Sequence, residues 1–153
     1  MNFVSRKATE QDAAALQHIW SWVYGGRAPE GEPGQLLPYE SALITEVDGV
    51  PAAAAKILDL PTARGNADLA CGGIGGVATL VEHRGTGAAG HLMQFALREM
   101  RERGYDISSL YGFRDSYYRK LGYEVCGWRW QINCPQARLP RTKDVLGWKH
   151  IGP

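Results

Sequence analysis

Eight residues, His83-Arg84-Gly85-Thr86-Gly87-Ala88-Ala89-Gly90, narrow the choice of folds more than any other stretch of the chain. They follow an extended run and lead into a helical pattern whose apolar stripe is Leu92, Phe95, Ala96 and Met100. A strand, a tight glycine turn and a helix together make an anion site. The helix start presents unpaired N–H groups and a partial positive charge. Gly85 and Gly87 let a ligand approach the backbone, Ala88 and Ala89 are too small to block it, and Arg84 stands just before the turn. A phosphate or pyrophosphate suits such a cradle.

Three readings of this turn compete. The Walker pattern is absent, because no Gly-Lys-Ser/Thr follows. Gly85-Thr86-Gly87-Ala88-Ala89-Gly90 matches the dinucleotide pattern Gly-x-Gly-x-x-Gly literally. That fingerprint should open a βαβ unit with an acidic residue ending the next strand. Here Asp106 precedes its strand, and the turn lies mid-chain. The third reading is plain helix capping, which does not call for so many small residues.

The rest of the chain supplies the frame. Val4, Arg6 and Ala8 sit in a short extended start. Thr9-Glu10-Gln11-Asp12 resembles a capping box, with a helix over about 10–24 carrying Leu16, Ile19, Trp20 and Val23. Gly25 to Pro38 holds too many glycines and prolines to continue that helix and reads as a functional or mobile loop. Strands are expected at 40–47 and 51–60 around the Asp48-Gly49 hairpin signal. A turn at 61–66 and a glycine-rich strand at 68–80 follow; Gly72, Gly73, Gly75 and Gly76 suggest a bulge. Gly104 is a natural end for the long helix. A strand at 107–111, a short helix capped by Asp115 or Ser116, and a last strand at 123–133 complete the pattern. This order predicts an α/β (α+β) fold: a single domain, residues 1–153, with a central mixed, mostly antiparallel sheet flanked by helices. Residues 134–153 read as an irregular C-terminal tail, with Arg138, Arg141 and Lys143 solvated.

Composition excludes several function classes. The chain has 153 residues, enough for one domain to bury a core without disulfides. Its 17 Lys+Arg and 16 Asp+Glu leave a net charge of +1, so nothing points to nucleic acid. No apolar run is long enough for a membrane span or a signal peptide. Cys71, Cys126 and Cys134 lack zinc or disulfide-framework spacing and read as reduced thiols in a cytoplasmic protein. The histidines show no ligand spacing, so no metal is expected.

Arg84-Gly85-Thr86-Gly87-Ala88-Ala89 resembles the Arg/Gln-x-x-Gly-x-Gly/Ala signature of the GCN5-related N-acetyltransferase (GNAT) superfamily. Three further segments look like the N-terminal domain of enhanced-intracellular-survival (Eis) acetyltransferases. They are the stretch from Gly75-Gly76-Val77 through His83-Arg84, then Gly104-Tyr105, then Tyr118-Arg119-Lys120-Leu121-Gly122-Tyr123, and Trp128-Arg129-Trp130 through Leu139-Pro140 resembles the end of that domain. The likeness covers roughly residues 66–140. It implies acetyl-CoA as co-substrate, its pyrophosphate on Arg84, Gly85, Thr86, Gly87, Ala88, Ala89 and Gly90. It also implies a splayed strand at Val77, Ala78 and Thr79 that holds the pantetheine arm, with a backbone N–H near Val77 facing the oxyanion.

Acetyl transfer to an amine needs a neutral amine, a stabilised oxyanion and a proton for the leaving thiolate. The resemblance puts the general acid at Tyr118, with Tyr117 and Tyr123 as rivals. A phenol with a pKa near ~10 is protonated at neutral pH. Eis proteins take their base from the C-terminus of a longer chain, which maps onto nothing here. Glu46, Asp68, Glu82, His83 and a water chain are the candidates. Trp20, Trp22 and Tyr24 are either an aromatic wall for the acceptor or core and interface residues. Trp128 and Trp130 read as core or dimer packing and leave a homodimer open.

The reaction expected is transfer of an acetyl group from acetyl-CoA to a primary amine of a small molecule. Acetylation of a protein N-terminus or lysine stays open, as does a non-catalytic acyl-CoA-binding sensor.

Overall fold

In a computed structural model the described residues are 1–25, 39–112 and 114–127. Strand β1 (Phe3–Lys7) leads through a 3-10 turn (Glu10–Asp12) into helix α1 (Ala13–Tyr24). The Asp12 carboxylate accepts bonds from the Thr9 N–H (2.8 Å) and hydroxyl (2.9 Å), and from Arg6 (2.7 Å). Arg6 also grips Glu46 at 2.6 Å. Arg6 holds the Asp12 carboxyl far below the usual carboxylate range, although burial opposes it.

A 3-10 turn (Tyr39–Ser41) opens β2 (Ala42–Val47), and β3 (Val50–Asp59) returns antiparallel to it. Asp48 and Gly49 both have positive φ, 51° and 83°, as a type I′ hairpin requires. The expected single strand at 68–80 is two. A small hairpin of β4 (Thr62–Arg64) and β5 (Ala67–Leu69) precedes β6 (Cys71–Thr79). Ala70 breaks the run: its N–H donates to the Asp106 carboxylate and its carbonyl accepts from the Asp106 N–H, both within 2.9 Å. Helix α2 (Ala88–Glu102) crosses from β6 to β7 (Ile107–Leu110), and α3 (Asp115–Arg119) follows.

The main sheet runs β1-β2-β3-β6-β7, antiparallel except for the parallel β6–β7 pair. That is the mixed sheet the sequence predicts. Apolar side chains of β2, β3 and β6 alternate between two cores. Leu43, Ala53, Ala55 and Ile57 pack with Leu92, Met93 and Met100 of α2. Ile44, Ala54 and Ala78 pack with Leu16, Ile19 and Trp20 of α1. The four alanines of β3, all fully buried, bring both helices close to the sheet. Helix α2 ends as expected, with Gly104 at φ 79° and a Tyr105 N–H to Met100 carbonyl bond of 3.1 Å.

Two expectations are corrected. Asp115 and Ser116 do not cap α3 but lie inside it, behind Arg114 in extended conformation. Residues 123–127 do not form a strand. The link to β7 is made by side chains instead: the Tyr123 and Ser108 hydroxyls are 2.6 Å apart. The rest of the expected last strand, with Trp128 and Trp130, the loop beyond Gly25 and the 134–153 tail lie outside the described residues. Among the described residues, no helix is long and apolar enough to cross a membrane, and no group of three or more His, Cys, Asp or Glu side chains could hold a metal.

Candidate active site

The site begins where β6 leaves its neighbours. β6 pairs with β7 only from Cys71 to Ile74. From Gly75 to Thr79 its β7 side has no strand partner among the described residues. On the other side the register slips. Lys56 faces Gly75 and Ala54 faces Ala78, so Gly76 and Val77 together oppose the single residue Ala55. This is a β-bulge, and Gly76 in the left-handed region (φ 59°) is its first residue. Two side chains of α1 hold the kink: Trp20 Nε1 donates to the Gly76 carbonyl at 2.5 Å, and the Tyr24 hydroxyl donates to the Val77 carbonyl at 2.8 Å. Trp20 is therefore a core residue with a bond to the site, while Trp22 is 73% exposed.

The glycine turn follows within a few residues. Val81–His83 form a 3-10 turn, and Arg84 reaches back from extended backbone to the Thr79 carbonyl (Nε to O, 3.3 Å). Gly85 and Gly87 take φ of 79° and 105°, which side chains other than hydrogen rarely allow. The Thr86 hydroxyl donates to the His83 carbonyl at 2.7 Å and closes the turn. The first main-chain bond of α2 runs from His91 N–H to the Gly87 carbonyl, 3.1 Å. The N–H groups of Gly85, Gly87, Ala89 and Gly90 meet no acceptor among the described residues, which is the arrangement an oxyanion-rich ligand needs. A Cβ added at Gly85 or Gly90 would touch nothing within 4 Å. Packing therefore gives no reason for these small residues.

Tyr118 stands on α3, past the end of β7. It is buried (4% exposed) and lines a cleft of about 460 Å³ with Ser109, Leu110 and Tyr123. Its ring stands edge-on to Tyr117 and Tyr123, with centroids 5.1 and 6.2 Å away. A Cβ at Gly112 would come within 3.0 Å of the Tyr118 ring, so Gly112 makes room for it. Burial pushes the Tyr118 phenol above its ordinary value. The nearby hydroxyls of Tyr117, Tyr24 and Tyr123 push it the same way. Tyr24 thus lies near both Tyr118 and the bulge.

The rival tyrosines differ. The Ser108 hydroxyl donates to the Gly72 carbonyl at 2.9 Å. Its single proton is spent there, so the 2.6 Å contact has Tyr123 as donor, with its own proton engaged. Burial raises the Tyr123 phenol. The Tyr117 hydroxyl is buried with no hydrogen-bond partner among the described residues. Among the base candidates, Glu46 is held against Arg6, and Asp68 and Glu82 are exposed. His83 is half-buried, with its carbonyl closing the turn. The structure does not bring these four together with Tyr118.

Sequence reasoning missed Gly112, and it named Tyr24 as acceptor wall or packing without foreseeing its bond to the Val77 carbonyl. The signal for Tyr24 was its spacing of four from Trp20, which puts both on one helix face.

The sequence matches the acetyltransferase (GNAT) domain family over residues 5–126. The fold is similar to that of a GCN5-related N-acetyltransferase from Anabaena variabilis ATCC 29413 (TM-score 0.71, 26% identity, 78% of this chain and 31% of that one). It is similar also to a GNAT family acetyltransferase from Brucella melitensis solved in complex with acetyl-CoA (TM-score 0.61, 22% identity, 81% of this chain and 84% of that one). A third likeness is to Eis1 from Mycobacterium abscessus (TM-score 0.66, 18% identity, 80% of this chain and 31% of that one). The chain therefore spans only about a third of the Anabaena and Mycobacterium proteins. No curated protein matches the chain in sequence. With most of its length matched by the family's model and its sheet and helices superposing on the family's structures, the chain belongs to the GCN5-related N-acetyltransferase family.

Proposed function

We propose that the chain is an acetyl-CoA-dependent N-acetyltransferase whose acceptor is a primary amine on a small molecule. The observation that carries this reading is continuity. The N–H groups of the glycine turn and the edge from Thr79 to Gly75, which has no strand partner among the described residues, follow one another along β6, and Tyr118 stands on α3 just past the end of the neighbouring β7. A pyrophosphate on the turn would let an extended thioester arm run along the free edge toward Tyr118.

The chemistry then divides among this chain's groups. The neutral amine attacks the thioester carbonyl, a C–N bond forms and negative charge moves to oxygen. A backbone N–H at the bulge, Val77 foremost, stabilises that oxyanion. As the C–S bond breaks, the CoA sulfur takes the Tyr118 proton and leaves as the thiol. Burial favours this role, because it keeps the phenol protonated at neutral pH. The amine's proton leaves through water or a base that none of the four candidates supplies in this arrangement. The reading extends to an Eis-like subclass and a cytoplasmic setting, with neither nucleic acid nor membrane as partner; near-neutral charge supports the last point.

The test is steady release of free CoA when purified protein meets acetyl-CoA and a panel of small amines, with peptides as a second panel. Turnover with small amines supports the reading. Turnover with peptides alone moves the acceptor to protein. Acetyl-CoA binding without release favours a sensor, and no binding defeats every acyl-CoA reading.

A further inference from the structure

The two carbonyls at the bulge are held in an unusual way. In a regular strand consecutive carbonyls point to opposite sides, so one neighbouring helix cannot take both. Here the Gly76 and Val77 carbonyls both accept from α1, through Trp20 Nε1 and the Tyr24 hydroxyl. The left-handed turn at Gly76 makes this feasible. Trp20 and Tyr24 are one helical turn apart and share a face. A trans peptide points its N–H opposite to its carbonyl. Fixing the Gly76 oxygen toward Trp20 therefore aims the Val77 N–H away from α1, and Tyr24 pins the next peptide, whose Ala78 N–H the ladder turns toward Ala54 of β3.

We infer that Trp20 and Tyr24 are positioning residues: by holding the carbonyls on both sides of Val77 they fix the direction of the Val77 N–H, the oxyanion donor of the reading above. They touch neither thioester nor amine, and act through the backbone of Gly76 and Val77. The inference rests on the acetyltransferase reading above. Its physical content is preorganisation: an oxyanion donor works when its direction is fixed before charge develops. The two residues also differ in what their loss would do to the fold. Trp20 is buried in the α1 core, whereas Tyr24 is 60% exposed and its hydroxyl is the part that matters.

Tyr24→Phe is therefore the variant to make, because it keeps the ring and removes one donor. Wild type and Tyr24→Phe are compared for acetyl-CoA affinity by calorimetry, for kcat and KM by CoA release, and for Tm. The expected result is a kcat lower by about tenfold or more, since the lost interaction serves the transition state. Acetyl-CoA affinity should stay within about twofold, because the turn still holds the pyrophosphate. Tm should be nearly unchanged. A merely structural role would instead lower Tm and leave kcat of the folded fraction intact, which overturns the inference. An unchanged kcat in a variant that binds acetyl-CoA also overturns it while leaving the acetyltransferase reading standing. Wild type that binds no acetyl-CoA overturns both. Trp20→Phe provides the second variant: where it folds, its kcat should fall in the same way with affinity retained.

Discussion

The two glycine clusters of this chain are empty of side chains for opposite reasons. In β6 the space is already taken. A Cβ at Gly72 would lie 2.4 Å from the Met100 sulfur, one at Gly73 would lie 2.4 Å from Leu60, and one at Gly76 would lie 3.1 Å from the Trp20 indole nitrogen. In the turn before α2 it is open. Gly85 and Gly90 have nothing within 4 Å, and the nearest atom to a Cβ at Gly87 is a Phe3 ring carbon at 3.9 Å. The first cluster shapes the strand by letting neighbours in. The second leaves open space beside N–H groups that meet no acceptor among the described residues. Packing accounts for the first; positive φ accounts for Gly85 and Gly87 in the second, and the space beside them is where the proposed function puts the ligand.

Substitutions should separate these roles. The largest effect is expected at the third kind of glycine-dependent contact, the Tyr118 ring lodged over Gly112. Tyr118→Phe keeps that packing and removes only the acid. Its kcat should fall by about 100-fold or more, with acetyl-CoA affinity within about twofold. An unchanged rate would remove Tyr118 from the mechanism. Next comes Gly90→Glu. A carboxylate in the first turn of α2 complements the helix dipole, so Tm should hold or rise slightly. The same charge opposes a pyrophosphate, so acetyl-CoA affinity should drop by about tenfold or more, the scale of one close like-charge contact near a protein surface. Loss of Tm with intact affinity would reverse the assignment of the turn.

Gly76→Ala should act on the fold first. The left-handed backbone there costs an L-residue about 1–2 kcal/mol, and the methyl group also presses on Trp20. Chemical denaturation should show that loss, together with slower turnover as the bulge shifts. The smallest effect concerns pH. The Tyr118 phenol is raised above ~10 by burial, so loss of its proton should not depress kcat below about pH 10. A limb in the kcat profile near pH 8 that disappears in Tyr118→Phe would contradict the burial argument.

What was legible in the sequence follows the same division. The turn was readable because Arg84 to Gly90 concentrates small residues where a helix begins, and Asp48-Gly49 and Gly104 were readable because each sits at positive φ. The bulge was visible only as a surplus of glycine between 72 and 76. Which residues it displaced depended on Ala55 facing two partners, a long-range register no local pattern encodes. The β4–β5 ladder was hidden, since three-residue strands carry too little alternation to detect. Tyr123 to Gly127 looked like a strand because Val125 alternates with polar neighbours, yet the contact there runs through the Tyr123–Ser108 hydroxyl pair. The resemblance alone singled out Tyr118 over Tyr123; the structure adds that the Tyr123 proton is committed to Ser108 and Ser108's own to Gly72.

The claim on which the rest depends is that the open turn before α2 receives the phosphates of acetyl-CoA. Calorimetric titration of acetyl-CoA into the folded wild-type chain and into Gly90→Glu tests it directly. One-to-one binding by wild type, with affinity lowered at least about tenfold in the equally folded variant, is the expected result. Equal binding by both, or none by folded wild type, would contradict it.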